Sequence, residues 1–210
     1  RGSAHWAGLV TGVTAGHNLT INVSAETTDT GNTIVPAGKE ASLHIEEVST
    51  ASDFISLTGT QLMTGTDWNT TIGSEIQWDT QDVYDSTTYT HSTVTSNHQV
   101  NINLDGNYML MYNDHLTSTV QRANTKVRIL KNNSVVNTGQ CATHYIRNQQ
   151  NHLESSCSIT HLLQDLRSGD IISIEHIQEA AGGVVNDASP AKLTLWRVGD
   201  ADPDPGCGTI

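Results

Sequence analysis

Apolar residues recur at every second position along almost the whole chain. Leu19-Ile21-Val23, Leu43-Ile45-Glu47, Val100-Ile102-Leu104, Tyr108-Leu110-Tyr112, Val127-Ile129 and Leu193-Leu195 each alternate with polar neighbours. Successive side chains of an extended chain point to opposite faces, so this period predicts half-buried antiparallel strands rather than helices. The runs are closed by turn chemistry at Ala15-Gly-His-Asn18, Asp29-Thr-Gly-Asn32, Asp105-Gly-Asn107, Lys131-Asn-Asn-Ser134, Arg167-Ser-Gly-Asp170 and Ala181-Gly-Gly183. The helix-compatible stretch Ser158–Leu166 has no good cap or stop and enters Arg167-Ser-Gly-Asp170, so it reads as a strand running into a turn. Two of the four prolines fall in the last eight residues, which leaves the body free to pair into sheets. An all-β sandwich or jelly roll is the predicted class, not a series of βαβ units.

The formal net charge of −12, from 10 Lys+Arg against 22 Asp+Glu, argues against a nucleic-acid surface built on basic patches. Only 15% of residues are charged, so polarity comes mostly from Thr, Ser, Asn and Gln, an exterior all-β composition rather than a disordered one. No stretch approaches the roughly 20 apolar residues that span a bilayer. A start at Arg1 without Met, leader or lipidation motif is expected of a mature, processed or cloned form.

An internal similarity organises the chain. Val13-Thr-Ala-Gly-His-Asn-Leu-Thr-Ile-Asn-Val23 followed by Ala41-Ser-Leu-His-Ile-Glu-Glu-Val48 parallels Leu166-Arg-Ser-Gly-Asp-Ile-Ile-Ser-Ile-Glu-His176 followed by Ala191-Lys-Leu-Thr-Leu-Trp-Arg-Val198. Gly16 and Gly169 are offset by 153, Ala41 and Ala191 by 150, a period equal to one domain. Residues 1–50 therefore read as the closing strands of a preceding repeat, 53–198 as one whole jelly-roll domain, and 199–210 as an acidic Gly/Pro tail.

Gly106-Asn-Tyr-Met-Leu-Met-Tyr112, Arg122-Ala-Asn-Thr-Lys-Val-Arg-Ile129, Tyr145-Ile-Arg147 and Ser168-Gly-Asp-Ile-Ile-Ser-Ile174, in that order, resemble the jelly rolls of the tumour necrosis factor and complement globular-head superfamily. Phe54-Ile-Ser-Leu-Thr-Gly-Thr60 looks like the family's first strand and Glu75-Ile-Gln-Trp78 like its next segment. The resemblance spans Asp53 to Val198 and implies trimerisation. The chain departs from the family in having a single Phe and in ending its last strand on Leu-Thr-Leu-Trp-Arg-Val198. Its Thr/Asn-rich, acidic character is similar to versions of this fold in tail, fibre and decoration proteins of tailed phages.

The residues that could carry chemistry are scattered. Ten histidines show neither His-x-x-x-His on a helix nor a Cys-x-x-Cys partner, so zinc spacing is absent, and His144 and His176 read as solvent-facing strand residues. A histidine contributed by each chain at a trimer axis could still bind an ion in common. Two acidic stretches, Asp79, Asp82 and Asp85, and Asp200, Asp202 and Asp204, are the candidate calcium ligands, because crowded carboxylates repel and a hard cation wants several oxygens; solvated loop charge is the plainer reading of both. Cys141 and Cys157 flank a turn-rich segment, and the spacing allows a disulfide or two reduced buried thiols; Cys207 is left over. No nucleophile elbow, phosphate loop or dinucleotide fingerprint occurs, and the Asn-x-Ser/Thr sequons at Asn18, Asn22, Asn69 and Asn132 matter only in a glycosylating host. The expected function is a non-enzymatic structural protein at an extracellular or virion surface, trimeric or in a larger symmetric array, with capsid or tail proteins as further partners and no cofactor other than calcium. The alternative is a carbohydrate- or receptor-binding module that stacks cell-surface glycans on Trp68, Trp78, Tyr84 and Tyr89.

Overall fold

The computed structural model describes residues 10, 13–20, 53–59, 73–117, 123–137, 143–146, 154–178, 187–188 and 191–202. The chain divides into a unit of Arg1–Leu9 with Ala51–Ile210 and a second unit, Val10–Thr50. In the first unit every described element is a strand: β1 (Phe54–Gly59), β2 (Ser74–Glu75), β3 (Thr80–Tyr84), β4 (Tyr89–Thr90), β5 (Val100–Ile102), β6 (Gly106–Thr117), β7 (Ala123–Lys131), β8 (Ser134–Val135), β9 (Thr143–Ile146), β10 (Glu154–Leu166), β11 (Ile171–Gln178), β12 (Asp187–Ala188) and β13 (Ala191–Gly199). No helix among the described residues is long and apolar enough to cross a membrane.

Two antiparallel sheets form. One runs β10-β6-β13-β1-β3 with β12 beside β6, the other β4-β5-β11-β7-β8 with β2 beside β11 and β9 beside β7. The first and last strands are neighbours and the chain passes repeatedly from one sheet to the other, as it does in a jelly roll. Alternation makes the sandwich: β6 is buried at every second residue along its length, and Tyr108, Leu110, Tyr112 and Leu116 meet Ile129 from β7, Ile172 and Ile174 from β11, and Leu193 and Leu195 from β13 in one core.

Side-chain chemistry fixes the strand ends. Asn132 and Asn133 both adopt positive φ, 50° and 64°, joining β7 to β8 through the two-residue turn that asparagine tolerates. Gly106 opens β6 because a Cβ there would lie 2.6 Å from Arg197 Nε and 2.7 Å from the Gly199 carbonyl. The expected strand through Leu104 stops at Ile102: the Asn103 N–H still reaches the Thr88 carbonyl in line with β4, and beyond it the Leu104 carbonyl accepts the Tyr108 hydroxyl at 2.6 Å. The stretch into Leu166 is a strand and not a helix, ending at the Arg167–Asp170 turn. The strands expected through Val23 and Ile45 lie outside the described residues.

In the second unit, the described residues include a turn in which the His17 N–H donates to the Thr14 carbonyl at 3.1 Å and Gly16 takes φ +93°. The corresponding turn of the whole copy has the Asp170 N–H donating to the Arg167 carbonyl at 2.9 Å, with Gly169 at φ +96°.

Candidate functional site

Two features of the sandwich are not accounted for by core packing. The first is on the outer face of the sheet that contains β6. Because Tyr108 and Leu110 point inward, Met109 and Met111 point outward. Register places Leu162 of β10 and Trp196 of β13 on either side of Met109, and Phe54 of β1 opposite Trp196. Trp196 and Phe54 stack, with ring centroids 5.8 Å apart and planes 15° from parallel. An apolar row thus crosses four adjacent strands, from Leu162, 42% exposed, to the buried Phe54. The next row, Thr160, Met111, Thr194 and Ser56, is small and mostly polar.

The second feature lies between the sheets. Asp114 is on β6, and its side chain is fully buried, as are the imidazoles of His144 on β9 and His176 on β11. Asp114 Oδ1 accepts from His144 Nε2 at 2.7 Å, and Oδ2 accepts from His176 Nε2 at 2.8 Å and from the Tyr112 hydroxyl at 2.6 Å. His144 Nδ1 pairs with Thr125 Oγ1 at 3.0 Å, and the two imidazoles stack with centroids 5.4 Å apart. Cys157, on β10, is directly opposite Asp114 in the ladder. Burial by itself raises the Asp114 pKa, but the hydrogen bonds and charge of His144 and His176 outweigh it and hold the carboxyl well below the usual range. Burial pushes the Tyr112 hydroxyl and the Cys157 thiol well up, with the Asp114 charge adding to both. A buried carboxylate is tolerable only when paired this thoroughly, and removing one partner of such a pair typically costs about 3–5 kcal/mol. Among the described residues, Asp114, His144 and Cys157 form the one group of His, Cys, Asp and Glu side chains whose ligand atoms converge, all within 4.8 Å of one another.

The sequence reading therefore misplaced His144 and His176, which face the core and not solvent. The signal was present in the phase of β6: Asp114 continues the inward series Tyr108, Leu110, Tyr112 and precedes Leu116, so a carboxylate sat at a core position and required interior partners.

The acidic stretches do not come together as cages among the described residues. Asp82 accepts the Thr58 hydroxyl at 2.7 Å and pairs with Lys192 at 3.4 Å; Asp85 accepts the N–H groups of Asp53 at 2.8 Å and Thr87 at 3.0 Å; Asp79 accepts the Thr80 hydroxyl at 3.3 Å. Asp200 pairs with Arg197, while Asp202 is held by its backbone, its N–H donating to Asp165 Oδ1 at 2.9 Å. Asp204 is outside the described residues, as are Cys141 and Cys207; the Cys157 thiol is free. Trp78 and Tyr89 are buried in the core and are unavailable to stack on a sugar; Tyr84 is 38% exposed and Trp68 is outside the described residues.

No protein-family model matches the sequence, and no curated protein matches it either. Among solved structures, the chain is similar to murine APRIL at pH 5.0, with a TM-score of 0.48 and 11% identity over 70% of this chain and 98% of that one. It is likewise similar to the globular domain of zebrafish complement 1qA protein, with a TM-score of 0.46 and 9% identity over 70% and 97%. The Eiger TNF of S. frugiperda aligns with a TM-score of 0.43 and 12% identity over 75% and 99%. At these TM-scores the alignments add nothing to the jelly roll already read from the strand order.

Proposed function

We propose that the chain is a non-enzymatic structural protein of an extracellular assembly, a virion decoration, fibre or tail component, whose copies associate as a homotrimer. The observation that carries this reading is the apolar row Leu162, Met109, Trp196 and Phe54 on the outer sheet face. Single outward apolar side chains are ordinary, but Leu162, Met109 and Trp196, in register over three strands and backed by the buried Phe54, form a continuous surface that a second copy can cover. Closed cyclic symmetry lets every subunit bury the same patch. The matched turns at Gly16 and Gly169 support the further reading that residues 1–50 supply the closing strands of a preceding copy in a tandem array.

Light scattering at micromolar concentration tests the assembly. The expected mass is three times that of the 22.6 kDa chain, and Leu162→Asp combined with Met109→Lys is expected to release folded monomers. A single 22.6 kDa species in the unaltered protein sinks the proposal, and a trimer that survives both substitutions removes this face as its interface.

A further inference from the structure

We propose that Asp114, His144, His176 and Cys157 form a structural zinc site that ties the two sheets together. Ligand atoms of Asp114, His144 and Cys157 already lie within 4.8 Å of one another, and His176 Nε2 is 2.8 Å from the second Asp114 oxygen. The ligands come from four strands, β6 and β10 of one sheet and β9 and β11 of the other. An ion held here cross-links the sandwich in its interior.

The donor set selects the metal. Calcium and magnesium want oxygen ligands throughout, whereas a thiolate with imidazoles and one carboxylate is a zinc set. Charge agrees with this choice. A divalent cation, the Asp114 carboxylate, a Cys157 thiolate and two neutral imidazoles sum to zero, which relieves the cost of placing charge in a low-dielectric core. The β6–β10 register brings the Cys157 thiol to the same carboxylate that the two imidazoles and Tyr112 share, so all four candidate ligands already meet at Asp114.

The surroundings fit a ligated histidine. Metal-bound imidazoles usually donate their second ring N–H to an outer partner, and Thr125 Oγ1 stands 3.0 Å from His144 Nδ1 to receive it. On coordination the thiol releases its proton to solvent, and each neutral imidazole carries its one hydrogen on Nδ1 and not on the ligating Nε2.

Because the cluster is buried, the test loads metal during folding. The full chain is refolded from denaturant with zinc, passed into metal-free buffer and assayed by atomic emission; one zinc per chain is expected, with a thermal midpoint above that of chain refolded in chelator. Refolding with cobalt is expected to give the visible absorption of a tetrahedral site together with a thiolate-to-cobalt charge-transfer band. Cys157→Ser is expected to remove that band, and Cys141→Ser with Cys207→Ser to leave it unchanged. Retention of no zinc, a cobalt form without the thiolate band, or a band that survives Cys157→Ser overturns the proposal.

Discussion

The turns at Thr14–His17 and Arg167–Asp170 share their backbone hydrogen bond, a glycine at positive φ in third place, and a side chain in fourth place that accepts from the first residue's N–H, His17 Nδ1 at 3.4 Å and Asp170 Oδ2 at 2.8 Å. Their flanks differ completely. Leu166 and Ile172 are fully buried, while Val13 and Leu19, at the matching positions, are 48% and 46% exposed. The same local code writes the same turn in both places, but burial depends on what faces the strand. Ile172 has an opposing sheet supplied by β6 and β13, with Tyr112 and Leu193 in the same core. Local chemistry decides the bend, and long-range pairing decides whether the apolar side chain contributes to stability.

The sharpest way to break the comparison is to truncate both apolar residues. Ile172→Ala should cost about 2–5 kcal/mol, the usual range for removing a buried aliphatic side chain. Leu19→Ala should fall within about 0.5 kcal/mol of the parent, as exposed positions do. Urea unfolding measures both. If Leu19→Ala costs as much as Ile172→Ala, and the midpoint rises with protein concentration, then Leu19 is covered by another copy in solution and the two regions are equivalent after all.

Next in size are the glycines. A Cβ at either Gly16 or Gly169 meets nothing within 4 Å, so the penalty for alanine is backbone strain alone. Forcing a residue with a side chain into the left-handed region costs about 1–2 kcal/mol. Gly169→Ala should lower the jelly-roll transition by that amount, and Gly16→Ala should leave the same transition where it was. An equal loss at both positions would mean that the two turns belong to one cooperative unit.

The fold was legible in the sequence to the extent that it is local. Period-two alternation placed β5, β6, β7 and β13, the resemblance marked β1 and β11, and glycine or asparagine marked turns between them. Two kinds of information were hidden. Partners across the sandwich leave no mark on spacing: His144 and His176 are 32 residues apart and meet Asp114 only because β9, β11 and β6 come from opposed sheets. Carboxylates close in sequence, such as Asp79, Asp82 and Asp85, diverge because each is claimed by a different neighbour, Thr80, Lys192 and the Asp53 N–H. The apolar row on the outer face was hidden for the same reason, since Leu162, Met109, Trp196 and Phe54 come together only through register.

The smallest difference between the two turns lies in their fourth residue, where an aspartate replaces a histidine. Burial by itself raises the Asp170 pKa, but the Arg167 N–H, the Lys131 ammonium at 2.9 Å and the Asn132 amide at 2.7 Å more than offset this and hold it below the ordinary value of 3.8. A carboxylate with a depressed folded pKa adds stability that is fully present above its unfolded pKa and is lost as pH falls through the folded one. Asp170→Asn should therefore cost about 1 kcal/mol near neutral pH, in keeping with a hydrogen-bonded, partly exposed ion pair. The cost should shrink as pH is lowered below 3.8 and disappear once the parent Asp170 is itself protonated. His17→Ala, at a turn whose flanks are exposed, should not change the same transition at neutral pH by more than about 0.5 kcal/mol. Urea midpoints of the three proteins across the acid range check this, and an Asp170→Asn deficit that stays constant with pH would show that the loss comes from the shape of the turn and not from its charge.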